Sequence, residues 1–452
     1  MPNEAPTGPK LVHQFANLNA HKAGETTTIV KGEDVYVFDR DGKRYLDAMG
    51  GSSCAALGFS SPELLRAMTE QANLLPYYHL FAQKSHEPAE ILAEKLIAAT
   101  PDHLRHVLFA SSGSEANDTA VKLAWAHNAG RGLPEKRRII ARKAGYHGST
   151  TLSAALTGQP HMQLGFNLPM EDVCFIPEVS YYRHSQNGES EEQYASRCAA
   201  ELEAAIIQEG PEKIAALIVE PIMASAGCLL PPAGYFDQVT SILQKYDVLL
   251  IADEVVCGLG RLGAPFGSSL FNLRPNLMTL GKPLTGGYFP LSAILMTDEI
   301  YETLAEQSDM AGILGHGLTY GGHPVGCAVA CVAMDIYASP AFRRDLNDRV
   351  KWFEAHLDDL SVHPIVGDVR NAGLLGAVEI VGDRATRKPF PAELRVSKRI
   401  GVSLQRNGVI TRWTERTVNL CPPLTISQLA MDELFEAMRN SLDDVYAEVC
   451  SL

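Results

Sequence analysis

Lys282 stands in Leu277-Met-Thr-Leu-Gly-Lys-Pro-Leu-Thr-Gly-Gly-Tyr288, at the end of a short apolar run, with Gly281 before it and Pro283 after it. A lysine that ends a buried strand offers an amine nucleophile to the crevice beyond the sheet; a snorkelling surface lysine is the alternative. Asp253-Glu254 follow Val248-Leu-Leu-Ile-Ala252. A carboxylate that closes such a run is costly unless paired, so it faces either a structural arginine or a cationic nitrogen on a ligand. Ser111-Ser-Gly-Ser-Glu-Ala-Asn-Asp118 sets small residues between a strand and a helix. Free amides and hydroxyls there cradle an anion, with Gly113 allowing close backbone approach, or else Ser112 or Ser114 caps the helix. Tyr146-His147-Gly148 adds an aromatic plate after another short strand. An amine, a carboxylate, an anion cradle and an aromatic face together suit a phosphorylated pyridine aldehyde.

Those groups need elements to hold them. Short apolar runs at Val107–Ala110, Arg138–Ala141, Ile214–Val219, Val248–Ala252 and Leu277–Leu280 alternate with helical spacing at Pro62–Leu75, Glu87–Ala99 and Glu115–Asn128. The pattern predicts an α/β fold with a mostly parallel sheet covered on both faces. All four features then fall at C-terminal strand ends, where such sheets bind ligands. Residues 35–46 predict a β-hairpin turning at Asp41-Gly42. Beyond the Gly-rich stretch 312–326 come helices at Cys327–Tyr337 and Pro340–Leu360, mixed strands at Leu374–Ile380 and Val418–Leu420, and a terminal amphipathic helix at Ser427–Val449. The expected division is an N-terminal arm and hairpin (1–60) joining the small domain, a large cofactor domain (61–325) and a smaller α+β domain (326–452).

Composition narrows the function classes. The 452 residues carry 39 basic and 53 acidic side chains, a net charge of −14, which disfavours general binding of nucleic acid or anionic membranes. Apolar runs stop at about half a dozen residues, where a spanning helix needs roughly 20. The N-terminus lacks the pattern of a secretory signal. Nine cysteines without a C-x-x-C point to buried thiols in a reducing compartment, so a cytoplasmic enzyme is expected. No metal site is expected. Gly258-Leu-Gly-Arg-Leu-Gly263 fits the dinucleotide fingerprint and raises a nicotinamide oxidoreductase as an alternative. It is rejected because Ala264-Pro-Phe-Gly reads as loop and residues 264–297 hold no acidic side chain for a ribose.

In chain order, Ser112-Gly-Ser-Glu-Ala-Asn-Asp118, Tyr146-His-Gly-Ser-Thr150, Glu220-Pro-Ile-Met223, Gly234-Tyr-Phe236, Ile251-Ala-Asp-Glu-Val255, Lys282, His316-Gly-Leu-Thr-Tyr-Gly-Gly-His-Pro324 and Cys421-Pro-Pro-Leu424 resemble the fold-type I, class III pyridoxal-phosphate aminotransferases of the ω-transaminase (amine:pyruvate) group. The likeness spans roughly residues 30–445. It implies that Lys282 carries pyridoxal 5'-phosphate as a Schiff base and later moves the substrate proton, while Asp253 holds the pyridine nitrogen. It further implies that Ser112, Gly113 and Ser114 cradle the phosphate. Tyr146 stacks on one ring face with His147 beside it, Val255 packs on the other face, and Glu220 orients groups around the ring oxygen and Asp253. Thr319 would complete the phosphate site of a neighbouring subunit, which implies a homodimer. Arg412 matches the family's mobile arginine for substrate carboxylates, with Arg416 as the fallback. The implied activity is ping-pong transfer of an amino group from an amine or ω-amino acid to a keto acid, pyruvate. A decarboxylating or isomerising relative of the same fold is the alternative. Two positions depart from the group: Ser53 stands where a tryptophan is usual and Ala82 where an aromatic residue is usual. Both changes go from large to small: either nearby side chains fill the space, or, as expected here, the pocket opens to a bulkier or longer substrate.

Overall fold

A computed structural model describes residues 10–22 and 26–451, so the expected N-terminal arm lies partly outside the described residues. Seven strands form the large sheet: β1 (Leu104–Ala110), β2 (Arg138–Arg142), β3 (Val173–Ile176), β4 (Ile214–Val219), β5 (Leu249–Asp253), β6 (Leu277–Leu280) and β7 (Ser292–Thr297). Their spatial order is β1-β7-β6-β5-β4-β2-β3. The neighbours from β3 through β6 pair in parallel. β7 runs antiparallel to both β6 and β1. Two of these strands, β3 and β7, are absent from the sequence reading. β3 is a four-residue edge strand. β7 follows β6 without a crossover helix, which only an antiparallel neighbour permits.

Every residue of β4, β5 and β6 is buried, as continuous apolar runs in a sheet covered on both faces require. Ile139, Ile218, Ile251 and Leu277 pack on one face against the helix Gly113–Gly130. Ile140, Leu217, Val219 and Leu250 pack on the other against helices Glu191–Glu209 and Tyr235–Lys245. The sheet is therefore a rigid plate. Its C-terminal edge presents the ends of β2, β4, β5 and β6 together.

The chain ends share a second, four-stranded sheet. Tyr36–Asp39 and Arg44–Asp47 pair antiparallel across a turn with Gly42 at φ +83°, and Val409–Ile410 then joins in parallel, with Val409 opposite Leu46. A third sheet of Val366–Ala372, Leu375–Ile380, Thr417–Leu420 and Arg412–Trp413 is antiparallel throughout. A buried ion cluster joins it to the loops around the large sheet. Glu379 accepts from Arg183 Nε (3.0 Å) and Nη2 (2.9 Å) and from Arg370 Nη2 (2.6 Å). Arg370 also meets Asp368 at 2.8 Å and Arg183 meets Glu178 at 3.4 Å, so both guanidiniums and the buried Glu379 are paired. All nine cysteines are free, and no single helix among the described residues is long and apolar enough to cross a membrane.

Candidate active site

β1 ends at Ala110 and the helix Gly113–Gly130 begins three residues later. Ser112 Oγ accepts from Glu115 N at 3.2 Å, so its hydroxyl is occupied as the N-cap. Gly113 and Ser114 line the cavity, and Ser112, as the cap, stands directly before them. A Cβ on Gly113 would lie 2.9 Å from Val255 Cγ1, and one on Gly148 would lie 2.5 Å from Ser114 Oγ. Only glycine lets these backbones close on one another. Ser114 Oγ in turn accepts from Ser149 N at 3.0 Å.

Asp253 closes β5 and is 4 % exposed. Its Oδ2 accepts from Asn117 Nδ2 and from His147 Nδ1, each at 2.8 Å, and its Oδ1 accepts from Val255 N at 3.1 Å. Asn117 is held by Thr279 Oγ1, which donates to its Oδ1 at 2.8 Å. The sequence reading passed over Asn117 and Thr279. Asn117 lies four residues after Gly113, on the same helical face, and that spacing is the signal that could have found it. Glu254 serves a different end. It accepts from Gly267 N (2.9 Å), Ser268 N (2.5 Å) and Ser268 Oγ (2.6 Å) at the start of a short helix. Burial pushes its carboxyl pKa up, and those donors pull it partly back. The two adjacent carboxylates are thus divided, one toward the cavity and one into a cap.

Lys282 follows β6 and lines the same cavity. Its φ of +38° is a left-handed conformation rare for a residue with a side chain, and strain of this kind persists where surrounding structure enforces it. Glu220, after β4, accepts from Tyr146 N at 3.0 Å and from Ala224 N at 3.1 Å. Burial raises its carboxyl pKa, against the pull of His147. It fixes the backbone that presents Tyr146, whose hydroxyl meets Ser149 Oγ at 3.1 Å. Gly113, Ser114, Tyr146, His147, Glu220, Asp253, Val255 and Lys282 are therefore brought together, and Asn117, Gly148 and Val256 join them on the lining.

Four further residues named from sequence do not line this cavity. Ser53 is buried in one left-handed turn, Gly50 to Ser53, with φ of +51°, +58°, +63° and +68°. Asp47 supports that turn through Met49 N (2.9 Å) and Gly51 N (2.8 Å). The next residue, Cys54, is close enough for the Lys282 charge to pull its thiol pKa down while burial pushes it up. Arg412 is half-buried opposite Asn419. Ala82 and Thr319 are exposed and belong to a separate face. There, Tyr77 Oη donates to Thr319 O at 2.8 Å, and Phe81 fills the space beside Gly317. Phe81 and Lys84, on either side of Ala82 in the loop, share a hollow with residues of the segment 314–321.

The family model for aminotransferase class-III matches residues 19–442. Gamma aminobutyrate transaminase 2 of Solanum lycopersicum is 40% identical over 422 residues, covering 93% of this chain and 92% of the relative. Vanillin aminotransferase of Capsicum annuum is 41% identical over 426 residues, covering 94% and 93%. The omega transaminase from Pseudomonas jessenii in complex with PMP superposes with a TM-score of 0.95 at 42% identity, covering 97% of each chain. The nicotinamide and decarboxylating readings are set aside by these likenesses.

Proposed function

We propose, for a chain that belongs to the class III aminotransferases and so performs pyridoxal-phosphate-dependent amino transfer between amines and keto acids, that an amine or ω-amino acid is the donor and pyruvate the acceptor. One observation carries the site assignment. A buried carboxylate, Asp253, faces the same cavity as Lys282, between a glycine-walled helix N-terminus and an aromatic ring. The residues fit the cofactor: the amides of Gly113 and Ser114 at the helix start suit its phosphate, and Asp253 suits its ring nitrogen. When bound, pyridoxal phosphate supplies a carbonyl for the amino group and a cationic ring that withdraws electrons. Lys282 Nζ takes the proton from the substrate carbon and returns it. Asp253 accepts from three donors, of which His147 and Asn117 hold its orientation, and Tyr146 and Val255 would flank the cofactor ring.

Two residues bear on the substrate. A guanidinium at Arg412 pairs bidentately with a carboxylate, which supports ω-amino acid donors and keto acid acceptors. The small Ser53 supports bulky amines. Names among the relatives run both ways, one for γ-aminobutyrate and one for vanillin. Ser53→Trp should keep kcat/KM for short amines and lower it roughly ten-fold or more for branched or aryl amines, on the scale that a filled pocket discriminates. Steady-state kinetics over a donor panel, with pyruvate and 2-oxoglutarate compared, reads this. Undiminished turnover of bulky amines would sink the enlarged-pocket reading.

A homodimer is the second part of the proposal. Tyr77, Phe81, Leu314 and Tyr320 are exposed around Thr319, and a patch of such side chains marks an association surface. Through that face Thr319 and Ala82 would reach the partner's site. Thr319→Ala should raise the dissociation constant for the cofactor about ten-fold, the value of one hydrogen bond to a charged oxygen. Equilibrium dialysis and light scattering test it; a chain-sized particle, or unchanged affinity, counts against the reading. Free cysteines throughout support a reducing, cytoplasmic setting.

A further inference from the structure

We propose that Arg261 positions the substrate-facing wall, Ser53 and Arg412, against the cofactor end of the parallel sheet. The proposal rests on the reading above that these two residues face the substrate.

The segment Gly258-Leu-Gly-Arg-Leu-Gly263 resembles a dinucleotide loop in sequence, yet no helix opens on it. It is a series of turns, with Leu259, Gly260 and Gly263 at φ +57°, +89° and +76°. Arg261, at its centre, is fully buried. Its Nε and Nη2 have no hydrogen-bond partner among the described residues. A buried guanidinium so poorly satisfied is unfavourable, and an apolar chain of similar length would suit the fold as well or better. Stability alone does not explain an arginine here.

What the arginine does contribute is one shared contact. Nη1 donates to Pro422 O at 2.6 Å and to Leu374 O at 3.2 Å, two carbonyls from separate C-terminal segments. Leu374 N returns a bond to Arg261 O at 3.1 Å. Gly373, at φ +56°, sits so close that a Cβ would strike Arg261 O and Gly263 N. From Pro422 the linkage continues to the left-handed turn. Cys421 N donates to Ala48 O at 2.7 Å and Leu424 N to Ala56 O at 2.8 Å, which brackets residues 50–53. A Cβ on Gly50 would lie 3.1 Å from Cys421 O. Arg412 pairs with Asn419, two residues before Cys421. In the other direction, Arg261 follows Asp253 by eight residues. The guanidinium thus ties the loop after Asp253 to Leu374 and Pro422, and through the residues beside Pro422 to the Ser53 turn and to the strand paired with Arg412.

Arg261→Met fills the volume and removes every donor. The expected result is unchanged cofactor absorbance and affinity, a melting temperature unchanged or raised, and KM for donor and keto acid increased roughly ten- to a hundred-fold, the scale of a misplacement near an ångström. The change in kcat should be smaller. Arg261→Lys, which keeps one amine donor, should fall between; should Arg261→Met not fold, this variant carries the test through the same KM shift. Wild-type KM for both substrates in the folded variant, or a loss that merely follows loss of bound cofactor, overturns the proposal. Arg412→Ala in parallel separates the two failures. It should lose only carboxylate-bearing substrates; no effect there overturns the substrate-wall reading and this proposal with it, whereas a loss there beside a silent Arg261→Met overturns this proposal alone.

Discussion

Lys282→Ala should lower kcat by about 10,000-fold or more while leaving the protein folded and able to take up added cofactor. Two functions end with the side chain: the amine that holds the cofactor covalently and the base that moves the substrate proton, and positioned proton transfer alone contributes about 100- to 10,000-fold. No neighbour can substitute. The other titratable groups on the lining are Asp253, Glu220, His147 and Tyr146. Asp253 and His147 are bonded to each other, and Glu220 is engaged by two backbone amides. The measurement is single-turnover and steady-state transamination, with borohydride reduction and peptide mapping of the wild type. Turnover within ten-fold of wild type, or a cofactor fixed elsewhere than Lys282, would remove Lys282 from the mechanism.

Asp253→Asn is expected to lower kcat by about 100- to 1,000-fold, the range for loss of one preorganised electrostatic partner. The substitution keeps shape and removes charge. It also breaks the donor pattern. Oδ2 now accepts from Asn117 Nδ2 and His147 Nδ1 together, while Oδ1 accepts from Val255 N. An amide group at either position places a donor against a donor, so at least one of those bonds must be lost. Cofactor affinity should fall with kcat, and Asn117→Asp would not restore it, because a carboxylate there keeps the bond from the Thr279 hydroxyl but cannot donate to His147 O as Asn117 Nδ2 does at 2.6 Å. An Asp253→Asn enzyme with near-normal kcat would show that the buried carboxylate is structural.

The residues proposed for the chemistry were legible because each stands at the end of a short apolar run. Asp253 closes β5 and Lys282 comes one glycine after β6, and the turn from β1 into its helix is written in four consecutive small residues. What the sequence left open was settled by which side each group faces. Asp253 and Glu254 are equivalent in sequence; one turns to the cavity and the other caps the helix at Gly267. Ser112 and Ser114 are equivalent candidates for the cradle, and helix geometry makes the first a cap. β7 escaped the reading because it follows β6 without the helix that separates successive parallel strands.

Local chemistry, then, is what the sequence determined by itself: strand ends, helix starts, the turn at Asp41-Gly42, and the family to which their order belongs. All but the last of these features depend on residues that are near neighbours in the chain. The tertiary structure decided the long-range partners. Asp253 meets Asn117 and His147, more than a hundred residues away, and Arg261 meets Leu374 and Pro422. In sequence Arg261 is only the centre of a rejected dinucleotide motif, and an arginine is seldom fully buried. Only the packing of three distant segments around it excludes water and turns one guanidinium into a joint. The same physics separates Ala82 and Thr319 from Lys282: loop closure onto 314–321 fixes where they point, and no local pattern encodes that fold-back.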